Sequence, residues 1–244
     1  MMARLIAAAA VAVVLLPPGT AGAQEEGIAG RFTIAAQVGT ESQLGGDFLK
    51  GTEGTLLGKP ISIDSKRYKD VYAPDLRLQA LVGYGVGRRT ELIVRGTYYK
   101  ANATPLEVGT SNDNAVFAYF GPYTEWGVEL GVRYYLSTRG RFQSYVAPVG
   151  GVRFLDHILV DFSVPAAGSA VLNVPFHKSG TVAVFGLDLG FNFDLWKAVF
   201  LGVDTGLRYQ TKPPAYDGLP TLELINHSDP RWSAPVVLSL GVKF

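Results

Sequence analysis

Residues 123–136, YTEWGVELGVRYYL, decide the fold. From Trp126 onward every second residue is apolar (Val128, Leu130, Val132, Tyr134, Leu136), while the residues between them include Glu125, Glu129 and Arg133. A period of two belongs to a β-strand whose two faces meet different surroundings. One face here is free of charge.

Seven further stretches alternate in the same way: residues 30–39, 74–87, 90–100, 141–154, 181–193, 199–210 and 231–244. The stretch 141–154 is the least regular, because Pro148 removes a ladder hydrogen bond; its apolar face is assigned to Phe142, Val146, Val152 and Phe154. No assigned apolar face carries a charge. The opposite faces hold Arg77, Glu91, Arg95, Glu125, Glu129, Arg133, Arg153, Asp188, Asp204, Arg208 and Lys243, six basic residues against five acidic.

A soluble sandwich would alternate too, with the charged face outside. Connection lengths separate the two. Gly87 to Arg89, Ser137 to Arg141 and Asp194 to Ala198 are tight polar turns, and the four connections between them are long. Short turns on one side and long loops on the other are how transmembrane barrels are built. The expected fold is all-β, an eight-stranded antiparallel up-and-down transmembrane barrel; a ten-stranded barrel is the alternative if part of the first loop crosses the membrane.

Aromatic placement tests this independently, since barrels carry girdles at both water interfaces. With the first strand running outward from the periplasm, Tyr98, Trp126, Phe154, Phe185, Tyr209 and Trp232 fall near the external end. Phe32, Tyr84, Tyr134, Phe142, Phe193 and Phe244 fall near the periplasmic end.

The chain begins with an export address. Arg4 precedes the apolar run Leu5 to Leu16, too short for a helical span and stopped by Pro17-Pro18, and Ala21-Gly22-Ala23 offers small residues for cleavage before Gln24. Residues 1–23 are therefore read as a signal peptide and residues 24–244 as the barrel. There is no cysteine, hence no disulfide, and a formal charge of +1 argues against nucleic acid as a partner. No metal-ligand spacing or cofactor motif is present.

The closing segment VVLSLGVKF (236–244) resembles the last strand of bacterial outer-membrane proteins, whose terminal Phe the outer-membrane assembly machinery recognises. By pattern the chain resembles the small OmpA/OmpX-type, porin-like outer-membrane barrels, departing from the smallest by its long loops. The resemblance implies a Gram-negative outer-membrane location, contact with outer-membrane lipid and lipopolysaccharide, and Phe244 as an assembly signal. The chain is expected to be a monomer, with no peptidoglycan-binding module after Phe244.

The superfamily includes anchors, adhesins, channels and enzymes, so function has to come from the residues. An eight-stranded barrel is only wide enough to be filled by side chains or to hold one small ligand. The near-balanced interior charge predicts a salt-bridged plug, and a role in membrane structure or in surface interaction through the extracellular loops. The alternative is a narrow channel or an uptake route for a small or apolar solute, with wall glycines such as Gly83, Gly186 and Gly190 opening the path.

His157, His177 and His227 all lie in long connections. His177-Lys178-Ser179 has the His-x-Ser spacing of outer-membrane lipid A deacylases, but no suitably spaced carboxylate accompanies it. His177 is read as a solvated loop residue and the chain as no enzyme, with lipid A or phospholipid acyl hydrolysis as the minor alternative. In the first loop Lys59, Lys66, Arg67 and Lys69, tempered by Asp64 and Asp70, form a solvated basic face able to meet lipopolysaccharide phosphates. Ile158, Val160, Phe162 and Val164 continue the period of two beyond the membrane. They predict a protruding hairpin whose apolar side binds a partner, folds over the mouth, or packs on the first loop.

Overall fold

The computed structural model describes residues 27–56, 59–138, 140–218 and 224–244. The predicted signal peptide lies outside them. In chain order the described strands are β1 (Phe32–Gly45), β2 (Asp47–Leu49), β3 (Thr52–Leu56), β4 (Lys59–Ile63), β5 (Lys66–Arg67), β6 (Asp75–Gly85), β7 (Thr90–Ala101) and β8 (Leu106–Ser111). They continue as β9 (Asn114–Phe120), β10 (Tyr123–Tyr135), β11 (Phe142–Leu155), β12 (Ile158–Val164), β13 (Ser169–His177), β14 (Gly180–Asp194), β15 (Val199–Gln210) and β16 (Arg231–Lys243).

Eight of these close into an antiparallel barrel in the order β1-β16-β15-β14-β11-β10-β7-β6, so apart from the β1–β16 seam each wall strand pairs with the wall strand next to it in chain order. Closure leaves no free edge, the condition for a sheet in a membrane. The seam pairs Thr33 with Lys243 and runs to Gly45 opposite Trp232, with a bulge between Gln43 and Gly45. Phe32 and Phe244 exchange backbone hydrogen bonds, 2.9 Å in each direction. Pro148 faces outward, and the β10–β11 ladder skips the pairs beside it while the β11–β14 ladder is continuous.

The wall presents its apolar residues outward. Leu130, Leu238 and Leu240 are 57–60% exposed. The face assigned to 141–154 is the outward one: Phe142 and Val152 are exposed, whereas Gln143, Tyr145 and Arg153 are buried. β1 is longer than its apolar stretch suggested, because alternation continues past Gly39 and turns Glu41 and Gln43 inward.

The long connections build a second, six-stranded sheet in the order β13-β12-β9-β8-β4-β3. In the first loop, Thr52–Leu56 and Lys59–Ile63 pair with each other as β3 and β4 of that sheet and add no strand to the barrel. β9 ends two residues before β10, and β12 starts two after β11. Asp156 N donates to Thr124 O (3.0 Å) and Gly121 N to Leu159 O (2.8 Å), so this ladder prolongs the barrel wall.

Candidate functional site

Alternation drives the charged residues of eight strands into one narrow interior. Glu129, midway along β10, is the hub: Oε1 accepts from Arg77 (3.2 Å) and Arg153 (3.1 Å), Oε2 from Arg95 (3.2 Å) and Arg208 (3.3 Å). All five side chains are 0–2% exposed. Asp188 takes both terminal nitrogens of Arg208 (2.5 and 2.9 Å) and one from Arg95 (2.9 Å).

Toward the long-loop end Glu41 meets Arg77, Arg153 and Arg231 and accepts from Ser233 Oγ (2.5 Å), while Glu125 meets Arg153 and Arg231. Five arginines thus share four carboxylates. Arg231 also lies over the rings of Tyr123 (4.7 Å) and Tyr99 (5.6 Å). Taking a charge from water costs several kcal/mol per ion, roughly, and only multiple charge-assisted bonds offset it. Glu41 and Arg231, which the sequence reading left out, are integral to this cluster.

The remaining predicted interior charges stand apart. Glu91 accepts from Arg133 (2.9 Å) and Tyr135 Oη (3.0 Å). Among the described residues Asp204 has no ion-pair partner: its carboxylate accepts from Gln37 Nε2 (2.7 Å), Ser239 Oγ (3.0 Å) and the Tyr145 hydroxyl, because neutral donors occupy its neighbouring inward positions. Lys243 pairs at the short-turn rim with Asp194 (2.9 Å) and donates to Gln143 (2.7 Å). Below these groups Ile28 is buried against Tyr135 and Tyr145, tied in by Ile28 N to Arg88 O (3.2 Å) and Gly30 N to Gly85 O (2.7 Å).

The wall glycines lie where the interior side chains are largest. A methyl at Gly190 would sit 2.5 Å from the Tyr145 ring, and one at Gly83 2.3 Å from the Glu91 carboxylate. At both positions the space a side chain would need is taken by a neighbouring inward side chain.

Outside, the external aromatics are laterally continuous: Tyr98 pairs with Trp126 and Trp126 with Phe154, and Phe185, Tyr209 and Trp232 are likewise in register. Trp126 stacks on Phe154 at 4.2 Å. At the other end Phe32 meets Tyr84 (4.8 Å), Phe142 pairs with Phe193, and Tyr134 and Phe244 are exposed. Charge inside and apolar residues outside are the reverse of a soluble barrel. The fold is a transmembrane β-barrel.

No family model matches the chain, and no curated protein matches it. Among solved structures it is similar to Neisserial surface protein A, at 16% identity and TM-score 0.47 over 88% of this chain and 99% of that one. It is also similar to the outer membrane protein OprG from Pseudomonas aeruginosa (14% identity, TM-score 0.44, 91% and 99% covered). A third is Ail, the attachment invasion locus protein of Yersinia pestis (12% identity, TM-score 0.40, 89% and 100% covered).

Above the ion cluster the loops form an aromatic roof. Phe48, fully buried, has the rings of Tyr68, Tyr72, Phe120 and Phe176 within 5.0–5.2 Å. Ile158 and Val160 are buried in the same cluster and Phe162 and Val164 pack against it, so the third-loop hairpin meets the first loop over the mouth.

His177 is not a solvated residue. It is 2% exposed at the end of β13, with Nε2 2.9 Å from Ser228 Oγ, Nδ1 3.3 Å from Pro214 O, and Ser228 Oγ donating to Phe48 O. Tertiary contacts among three loops bury it. Burial pushes its imidazole down to about 4, against the opposing pull of the Pro214 carbonyl. Ser179 is exposed and takes no part, and His157 and His227 are exposed as well.

In the first loop Lys66 pairs with Asp64 (3.3 Å), and the Arg67 backbone N–H donates to Asp70 (3.0 Å). Only the backbone of Lys59 is described. Among the described residues no group of three His, Asp or Glu side chains is placed to hold a metal ion.

Proposed function

We propose that the chain is a closed outer-membrane barrel, stabilised inside by its own charges and roofed by its loops, that acts in membrane structure and surface interaction rather than conduction. The observation that carries this is the Glu129 carboxylate shared by four buried arginines in the middle of the barrel. A selective pore is more naturally lined by rings of one sign. The Phe48 roof above and the Ile28 contact below support the same reading.

On this reading the two aromatic bands lie at the lipid headgroups, the basic residues of the first loop face lipopolysaccharide, and Phe244 serves the assembly machinery. Planar-bilayer recording tests it. Wild-type protein is expected to give no reproducible conductance, and steady ion-selective channels would overturn the proposal.

A further inference from the structure

We infer that the wall beside the β10–β11 and β14–β15 turns binds an anionic phospholipid, which lays an acyl chain in an outward groove and sets its phosphate on Arg141 and Lys197. The inference rests on the membrane placement proposed above and names a lipid in the leaflet that the short turns reach.

The groove comes from a step in side-chain size. On the outward face of β11 Phe142 is followed by Ser144, which pairs across the ladder with Phe191 of β14. The exposed Phe142 and Phe191 rings stack at 5.0 Å, and the short Ser144 side chain leaves a hollow beside them. With Leu136, Leu189 and Val203 it forms a groove of about 300 Å³ running over β11, β14 and β15. Apolar walls that open on hydrocarbon suit an alkyl chain.

Charge sets the headgroup end. The three short turns, Gly87 to Arg89, Ser137 to Arg141 and Asp194 to Ala198, hold Arg88, Arg89, Arg139, Arg141 and Lys197 against one acid, Asp194. That acid is taken, by Lys243 at 2.9 Å and by Gln143 Nε2 at 3.1 Å. Every long loop, by contrast, carries acids of its own, and Lys50–Asp229 (2.7 Å), Lys66–Asp64 (3.3 Å) and Lys178–Asp217 (2.8 Å) pair there.

Arg141 and Lys197 are exposed, and among the described residues neither has an ion-pair partner. Both stand where the groove ends. Arg141 precedes Phe142, and its carbonyl accepts from Asp194 N (2.8 Å), which ties the two turns together. Trp196, 70% exposed, neighbours Lys197, an aromatic of the kind that sits at lipid headgroups.

The same charges choose among occupants. A second copy docked by a two-fold through this groove would bring Arg141 and Lys197 toward their own copies, like charge against like. A zwitterionic headgroup brings its own cation to its phosphate. An anionic one leaves the phosphate to the protein, where a guanidinium holds it by two parallel N–H bonds and a lysine adds charge.

The test uses the full mature chain in phosphatidylcholine vesicles with a trace of spin-labelled phospholipid, insertion being checked by flotation. Protein that fails to float would overturn the placement, and the inference with it; failure of the site alone shows in protein that floats. Wild-type protein is expected to immobilise spin-labelled phosphatidylglycerol several-fold more than spin-labelled phosphatidylcholine. R141Q/K197Q should bring the two labels level, whereas R88Q/R89Q, which removes the same charge from the third turn, should keep the preference. S144F fills the groove with the cations in place and should abolish the preference too. Equal immobilisation by wild type, a preference that survives R141Q/K197Q or S144F, or an equal loss in R88Q/R89Q would overturn the inference.

Discussion

The guanidinium of Arg231 lies 4.7 Å from the centre of the Tyr123 ring, at the level where the buried ions give way to the aromatic roof. The Tyr123 hydroxyl also accepts from Gln210 Nε2 (3.0 Å), which in turn receives Arg231 on its oxygen (2.5 Å). Tyr123→Leu is expected to lose both contacts. A desolvated cation–π pair is worth about 2 kcal/mol, and Tyr123→Phe should keep most of it. Urea unfolding midpoints in detergent micelles would rank the three proteins wild type, Phe, Leu.

Glu129→Gln keeps the shape of the hub and removes the charge that four arginines share. Breaking a buried pair costs about 3–5 kcal/mol. The variant should unfold at markedly lower urea, and its bilayer traces should show brief openings absent from the parent. An unchanged midpoint would mean that the arginines are held by their other partners.

Phe48→Ala removes the ring on which the roof is centred, a loss of about 3–5 kcal/mol for a buried Phe. The damage should be local. Amide hydrogen exchange is expected to accelerate in β12, β13 and the single helical turn Tyr68–Val71, while β10 and β14 keep their protection.

The His177 imidazole is held at about 4, below its ordinary value, so the folded roof prefers it neutral. An opened roof takes up a proton below about pH 6.5. Roof stability is therefore full above that pH, falls as the pH drops toward 4, and by then has lost about 3 kcal/mol. Loop exchange rates compared at pH 7.5 and pH 5, after correction for intrinsic chemistry, should show it, and His177→Gln should flatten the difference.

Two glycines predict opposite outcomes. Gly190→Ala drives a methyl against Tyr145, and overpacking of this kind costs about 1–3 kcal/mol. Gly96 faces outward with no atom within 4 Å of an added methyl, so Gly96→Ala should be neutral or stabilising. Heat-modifiability on gels would separate them.

The barrel was legible in the sequence because its determinants are local. A period of two in Tyr123–Tyr135 fixes which side chains turn inward, and turn length fixes strand order. Glu41 was equally accessible, since the alternation of β1 runs on through it; the apolar signal simply weakens after Gly39, where the outward positions become polar. Arg231 has the inward parity of its neighbour Ser233 in the same stretch.

The roof was not legible in this way. Phe48, His177 and Ser228 carry no periodic signal that joins them, and they meet because barrel closure brings three loops to one mouth. The state of His177 is a property of that meeting, not of its neighbours in the chain.

Ser228 hydrogen-bonds to the carbonyl of Phe48 across 180 positions of chain, and Arg231 reaches Glu41 across 190. Neither contact forms until the last strand finds the first. A half-inserted chain therefore holds unmatched ions and an unseated lid at the same time, and both are resolved in one event. A chain cut before Ser228 would lack both contacts, so the seating of the lid and the matching of the upper ions depend on the same final segment.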